Sequence, residues 1–326
     1  MRILLTGISG FAGSHLASYI LKLPEHHEVI GLIRWRSPRD NIKNLLSHPR
    51  LTLVEGDLLD QGSLIRILNE HQPDAIWHGA AQSYVQSSFQ NPIQTFQHNI
   101  IGTANLLEAL RIVNYKNICV LVSSSEVYGQ PKQHEVPMTE ENPLRPTSPY
   151  AVSKAACDLM GRQYYENFGL KIIRTRLFSH EGIKRGSVFC QSSIAKQLVT
   201  PMGNRSTYDP EVREGNLDSV RTWAHIDDAV HAYWLTFLCP PGEVYNIGGK
   251  ETTTVREALD RMIQKAKEKY GIEQVHIIQD SSLMRPTDIT LQIPNYQKFV
   301  QQTGWQPQKG LQEIIDDLLE YWHDQL

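Results

Sequence analysis

The stretch Thr6-Gly7-Ile8-Ser9-Gly10-Phe11-Ala12-Gly13 lies between an apolar run, Ile3-Leu4-Leu5, and a segment in which Leu16, Ile20 and Leu23 recur on one helical face. Strand, glycine turn and helix in that order suit a nucleotide pyrophosphate. Glycines three apart let the backbone turn sharply and approach phosphate, and the helix N-terminus past Gly13 offers unpaired N–H groups at the positive end of its dipole. Glycine also marks ordinary turns, so the flanking elements carry the reading as much as the glycines do. Working outward, short runs of branched apolar residues at 29–33, 51–54, 75–77, 118–122, 171–177 and 244–247 alternate with longer helical patterns. The alternation predicts an α/β fold, a doubly wound parallel sheet with helices on both faces.

At 326 residues the chain is long for one compact unit, and a cofactor domain with a smaller substrate domain is expected. A net charge of −3 gives no bulk argument for nucleic acid or an anionic membrane, so neither is expected as a partner. Cys119, Cys157, Cys190 and Cys239 show neither metal-ligand spacing nor a disulfide framework, and the His26-His27 pair has no ligand spacing, so no metal is expected. The N-terminus enters a strand within three residues, and nowhere do eighteen apolar residues run together. The expectation is a soluble, cytoplasmic protein.

Ile93, Phe96, Ile100, Ala104 and Leu107 recur at helical spacing, as do apolar residues over 151–168, and read as packing faces, part of them available to a partner subunit. After Leu177 the texture changes. Residues 178–224 are rich in glycine, proline and basic side chains and suit loops closing over a substrate. Residues 226–238 and the strand ending at Ile247 look like a return to the first domain, followed by a helix to Tyr270, a strand at 275–278 and an amphipathic segment at 311–322. The expected organisation is interleaved: 1–177 with about 225–247 as the cofactor domain, and 178–224 with 248–326 as the substrate domain.

Tyr150-Ala-Val-Ser-Lys154 is the second informative stretch. Ser148 can cap a helix and Pro149 can occupy its first turn, placing Tyr150 and Lys154 four apart on one face. A tyrosine with a pKa near 10 must lose about three units, roughly 4 kcal/mol, to act as a base at neutral pH; a neighbouring ammonium and the positive nicotinamide of a bound cofactor are expected to supply that. The strand at 118–122 runs into Ser123-Ser124-Ser125-Glu126, at the carboxyl edge where sites of open parallel sheets form. Ser124 can hydrogen-bond a sugar oxygen beside Tyr150, and Glu126 can move a carbon-bound proton. Arg34 and Arg36, at the end of the second strand, stand where an acid would mark NAD and where basic groups accommodate the 2′-phosphate of NADP. NADP is therefore expected over NAD.

Together, TGISGFAG, GDLLD, HGAAQS, NIIGTANLLEA, SSSEVYG and SPYAVSK resemble the extended short-chain dehydrogenase/reductases that act on nucleotide sugars, and SHEGIKRG, GNLDSVRTWAHIDDAV, LMRPTDI and TGWQP are most similar to the GDP-mannose 4,6-dehydratases. The resemblance covers nearly the whole chain and implies a Rossmann-type sheet with a smaller, interleaved α/β substrate domain. It further implies Tyr150 as base at the carbon 4 hydroxyl, Lys154 as its electrostatic partner, Ser124 in place of a catalytic threonine, and Glu126 as the group that removes the carbon 5 proton. Asp57-Leu58 match the pair beside the adenine, and Thr6, Gly7, Gly10, Phe11, Gly13 and Ala80 complete the cofactor contacts. Gln82, Ser83, Ser179, Glu181, Arg185, Arg221, Arg285 and Asp288 match substrate positions, the two last-named arginines at the diphosphate. Ser179 stands where the family has asparagine, Asp288 where it has glutamate, and Ser193 where it has a lysine near the nucleotide base. A homodimer or homotetramer is implied by analogy. A 4-epimerase, a 4-keto-6-deoxy-sugar reductase, or a silent NADP-binding scaffold could share the fold; the complete Ser124, Glu126, Tyr150 and Lys154 set counts against the scaffold.

Overall fold

The computed structural model describes residues 1–200 and 209–325. Residues 201–208, part of the loop-rich stretch expected at 178–224, lie outside the described residues, as does Leu326. Strands β1 (Arg2–Thr6), β2 (Glu28–Ile33), β3 (Leu51–Glu55), β4 (Ala75–His78), β5 (Ile118–Val122) and β6 (Ile172–Leu177) match the predicted runs to within a residue. Beyond them come β7 (His180–Glu181), β8 (Glu211–Glu214), β9 (Val220–His225) and β10 (Val244–Ile247). Seven strands form one parallel sheet in the order β10-β6-β5-β4-β1-β2-β3.

Both faces of this sheet are covered at its centre, which is why β1, β2 and β5 read as nearly continuous apolar runs rather than alternating ones. Ile3, Leu5, Val29 and Ile33 face one cluster, shared with Leu16 and Ile20 of the helix Phe11–Lys22 and Val230 and Tyr233 of the helix Ile226–Thr236. Leu4, Ile30 and Leu32 face the other, shared with Leu64, Ile67, Leu106 and Leu110. The return of the chain to the sheet is thus physical: β10 pairs in parallel with β6, and the helix before it packs on the Phe11–Lys22 helix.

A second cluster stands apart, built from Ile194 and Leu198, Leu259 and Met262, and Ile314 and Leu318. It supports β11 (Glu251–Thr254) and β13 (Leu291–Gln292), which flank β9, and β12 (His276–Gln279), which pairs with β8. The helices Val255–Tyr270 and Leu311–His323 fall where the sequence predicts them.

Two expectations are corrected. The 178–224 stretch is less loop-like than its composition suggests: it holds the helix Cys190–Val199 and β8 and β9. In that helix the polar residues Gln191 and Ser192 are buried beside Ile194 and Leu198, which blurs the apolar period. The stripe Ile93, Phe96, Ile100, Ala104, Leu107 is not one buried face either. Ile93 is 66% exposed, and in the helical run from Pro92 to Ile112, which contains a π-turn at Gln97–Ile101, it is Thr95, Asn99 and Thr103 that face inward.

Candidate active site

The chain winds outward from β1 to β2 and β3 in one direction and from β4 to β5, β6 and β10 in the other, so a crevice opens between β1 and β4 at their carboxyl ends. A single cleft follows this crevice from the glycine turn to the second cluster. At its sheet end, Gly7 adopts φ +79°, and a Cβ there would lie 2.9 Å from the Ala80 backbone. A Cβ on Gly13 would lie 2.2 Å from the Gly7 carbonyl, so the turn closes against the helix only with glycine at both places. Gly10 caps the Phe11–Lys22 helix with no side-chain hydrogen bond, and no acid occupies the first turn. The helix therefore presents bare N–H groups and positive dipole to the cleft, and the cradle fits a pyrophosphate.

Thr6 lies beneath this turn. Its hydroxyl accepts from the Ala80 N–H (3.2 Å) and contacts His78 Nδ1 (2.8 Å), whose other ring nitrogen contacts Thr103 (3.0 Å). Burial, with Lys154 nearby, drives the His78 pKa down to about 3, so the ring is a neutral brace joining the ends of β1 and β4 to the 92–112 helix. Arg34 and Arg36 sit at the carboxyl end of β2, both exposed. The Ser37 hydroxyl accepts from the Arg34 N–H (3.0 Å) and Arg36 lies over the Trp35 ring at 5.0 Å, leaving both guanidinium groups open to a phosphate. Asp57, whose carboxylate accepts from the Leu59 N–H (2.9 Å), and Leu58 form the neighbouring turn after β3.

The side chains expected to carry the chemistry gather where β5 ends. Ser124 accepts from the Glu126 N–H (3.2 Å) and caps a short turn over Ser125–Tyr128 that aims Glu126 into the cleft. Opposite, Ser148 accepts from the Ala151 N–H (3.0 Å) and Pro149 fills the first turn of the helix Pro149–Phe168, as the sequence predicts. Tyr150 and Lys154 are both buried against the cleft, at 8% and 6% exposure. Burial pushes the Tyr150 pKa up to about 12, while a hydrogen bond with Ser124 works the other way. Lys154 spends its ammonium on the Val122 carbonyl (2.5 Å), at the end of β5, and burial lowers its own pKa. The protein alone thus holds Tyr150 protonated, so the expected lowering does not come from Lys154 by itself.

At the far end, Arg285 lies 3.3 Å from the Glu126 carboxylate. Arg221, on β9, donates to the Val220 carbonyl (3.0 Å) and to that of Ile289, and lies 4.0 Å from Asp288. Asp288 is fixed by Asn216 (2.6 Å) and Ser219 (3.3 Å). Arg185 is clamped between aromatic rings, 3.5 Å from the Phe189 centroid and 4.9 Å from that of Phe11, with Glu181 at 3.7 Å. Burial pushes Glu181 up to about 7 against the pull of Arg185.

Of the residues expected from sequence, Gly7, Gly10, Phe11, Gly13, Ala80, Ser83, Ser124, Glu126, Tyr150, Lys154, Ser179, Glu181, Arg185, Arg221, Arg285 and Asp288 share the cleft wall. Thr6, Arg34, Arg36, Asp57, Leu58 and Gln82 do not. Gln82 is held by its backbone, its N–H donating to Asn99 Oδ1 (2.8 Å) and its carbonyl accepting from Asn99 Nδ2 (3.0 Å). Sequence reading missed Glu214, Cys190, Asn216 and Phe189 in the wall. Two of these were within reach: Asn216 belongs to the GNLDSVRTW segment and Glu214 immediately precedes it.

A doubly wound sheet with a glycine-lined pyrophosphate cradle at its switch point, and a Ser-Tyr-Lys set beside it, defines an extended short-chain dehydrogenase/reductase. Within that class, the family model for GDP-mannose 4,6 dehydratase matches residues 4–318, and the chain belongs to that family. It is 32% identical to a GDP-mannose 4,6 dehydratase of Drosophila melanogaster, with 97% of this chain and 85% of that protein covered. It is 30% identical to a GDP-mannose 4,6-dehydratase of Sordaria araneosa, again over 97% of this chain, but spans only 60% of that relative's length. Among solved structures, RMD from Pseudomonas aeruginosa complexed with NADPH superimposes with a TM-score of 0.82 at 27% identity, with 100% of both chains covered.

Proposed function

We propose that the chain is an NADP-dependent nucleotide-sugar 4,6-dehydratase whose substrate is a GDP-hexose of manno configuration. The observation that carries this is the placement of two proton-handling groups in one cleft: Tyr150 with Ser124 on one side, and Glu126 with Arg285 on the other. The glycine turn and the Phe11–Lys22 N-terminus would hold the pyrophosphate of NADP, and Arg34 and Arg36 its 2′-phosphate. When bound, NADP supplies reversible hydride uptake and leaves no net redox change.

Tyr150, assisted by Ser124, takes the proton of the carbon 4 hydroxyl. A ketone at carbon 4 acidifies the adjacent C5–H, and Glu126 is the carboxylate in place to take that proton. The two protons taken, by Tyr150 and by Glu126, match the two given: one to the departing carbon 6 hydroxyl, which leaves as water, and one back to carbon 5. Arg221 and Arg285 suit a diphosphate, since guanidinium pairs bidentately with phosphate oxygens.

A homodimer or homotetramer is supported by Ile101 (50% exposed) on the 92–112 run and Leu159 (55%) on the Pro149–Phe168 helix packed against it. The four cysteines are free and the substrates are nucleotides, which suits a cytoplasmic setting. No helix among the described residues is long and apolar enough to cross a membrane. The deciding experiment incubates the protein with GDP-mannose and NADP, without reductant, and weighs the product. A product lighter by one water supports the assignment; turnover of dTDP- or CDP-glucose with none of GDP-mannose refutes the substrate.

A further inference from the structure

Glu214 is the last residue of β8, a short strand in which Val212 and Glu214 share the inward face. Val212 enters the second cluster, while Glu214, 9% exposed, lines the cleft. Its carboxylate has no cation beside it among the described residues, only the Gly215 N–H and the like charge of Glu181. Burial, reinforced by Glu181, pushes it up to about 7. A buried carboxylate without a counter-charge is costly, and an apolar side chain would pack the strand better. A ligand bearing N–H donors would supply what the carboxylate lacks.

The order of charges along the cleft says which part of the ligand reaches it. Tyr150 interacts with Glu126, and Glu126 with Arg285 and Arg221. Those two arginines in turn lie within electrostatic reach of Cys190, as does Glu214. Along this line of side chains, sugar, diphosphate and base fall on Tyr150, the arginine pair and Glu214, while Glu181, beside Glu214, pairs with the Arg185 that also reaches Tyr150. Ser193, one helical turn beyond Cys190, is tied through Gln197 (3.0 Å) to the Arg213 backbone next to Glu214 (2.8 Å), so the same end of the cleft is walled by two residues that can hydrogen-bond a base.

We infer that Glu214 reads the nucleobase, its two carboxylate oxygens accepting from N1–H and the exocyclic amine of guanine; this rests on the nucleotide-sugar reading above. Guanine alone among the common bases presents two adjacent donors on its pairing edge. Uracil and thymine offer one N–H between two carbonyls, and adenine and cytosine set a ring-nitrogen acceptor beside their amine. Each opposes an ionised carboxylate with a lone pair. Specificity of this kind is strong because the wrong base leaves a buried charge unpaired.

The test measures binding of GDP, IDP and UDP by calorimetry to the NADP-loaded protein and to its Glu214→Gln and Glu214→Leu variants, in mildly alkaline buffer. The unaltered protein should prefer GDP over UDP, with IDP, which lacks the exocyclic amine, between them. A good bidentate base contact is worth about tenfold or more in discrimination, so both variants should reduce the GDP/UDP ratio by at least about that factor. A ratio unchanged in either folded variant overturns the inference, as does unaltered protein that binds UDP as tightly as GDP. Free nucleotides are read without turnover. A protein that shows this Glu214-dependent preference for GDP yet removes no water from GDP-mannose therefore refutes the dehydration reading and sustains the role of Glu214.

Discussion

Asp158 should be the most expensive single charge in the molecule to remove. It lies on the Pro149–Phe168 helix with its side chain fully enclosed, and accepts from Arg174 Nη1 (3.1 Å) and from Arg176 Nε (2.8 Å) and Nη2 (3.0 Å). Arg176 Nη1 donates onward to the Tyr128 hydroxyl (2.9 Å), which donates to Asn246 Oδ1 (2.7 Å), so the network ties the helix carrying Tyr150 to β6 and β10. Asp158→Asn keeps the shape but leaves two buried guanidinium groups, 8% and 6% exposed, without a counter-charge. Breaking a buried pair from one side costs about 3–5 kcal/mol, a large part of the roughly 5–15 kcal/mol that holds a typical fold. Burial raises the Asp158 pKa, but the two arginines outweigh it and hold it below the ordinary range. Its contribution is therefore present above the unfolded carboxylate pKa and is lost as pH falls through the folded one. Urea unfolding followed by tryptophan fluorescence at neutral pH should show a lower midpoint at unchanged slope. A loss below about 1 kcal/mol, or one no larger than that of Arg162→Ala in an exposed pair, would refute the reasoning.

Tyr150→Phe should abolish water loss from GDP-mannose, whereas Glu126→Gln should leave the carbon 4 step intact and block elimination; full dehydration by either variant, measured by product mass, would remove that residue from the mechanism. Arg34→Asp should weaken NADP relative to NAD by about tenfold or more, the worth of a charged hydrogen bond, as read by calorimetry; an unchanged ratio would take Arg34 away from the 2′-phosphate. Arg221→Ala should cost about 1.5–3 kcal/mol of GDP binding if its guanidinium meets the diphosphate. Glu181 and Glu214 are both pushed up to about 7, chiefly by burial, so the folded state holds their protons more tightly than the unfolded chain does. Their drag on stability is absent below the ordinary carboxylate pKa and complete above about 7; Glu181→Gln should flatten that decline, and an identical pH profile would count against the burial argument.

The sheet was legible in the sequence because both its faces are covered: β1, β2 and β5 are almost unbroken apolar runs, and their boundaries lie within a residue of the predicted ones. The glycine turn was legible because Gly7 and Gly13 answer to steric demands that no other residue meets. The Ser148-Pro149 helix start was equally local. The rest depends on contacts far apart in the chain. Asp158, Arg174 and Arg176 look like surface charges until β6 is laid against the helix. Glu214 sits in a strand of four residues, too short for alternation to declare itself, and its meaning comes from Cys190, Ser193 and Glu181 across the cleft. The part that Lys154 plays at Tyr150 was not legible either, because adjacency on a helix says nothing about where an ammonium points, and Lys154 is engaged by the Val122 carbonyl.

The π-turn at Gln97–Ile101 makes residue count itself part of the site. A turn of that kind holds one residue more than an ordinary helical turn; Asn99 lies within it and Thr103 just past it, both facing inward: Asn99 to grip Gln82 and Ser153, Thr103 to meet His78. Deleting the exposed Gln97 would restore a regular helix while leaving every one of those residues in the chain. An ordinary turn winds four residues through about the angle that the wide turn gives to five, so the helix beyond would keep its phase while Asn99, inside the turn, would be re-aimed, and its grips on the loop after β4 and on Ser153 could not both be kept. The segment should thus accept many substitutions at its exposed positions and no change in length, the reverse of what a surface loop allows.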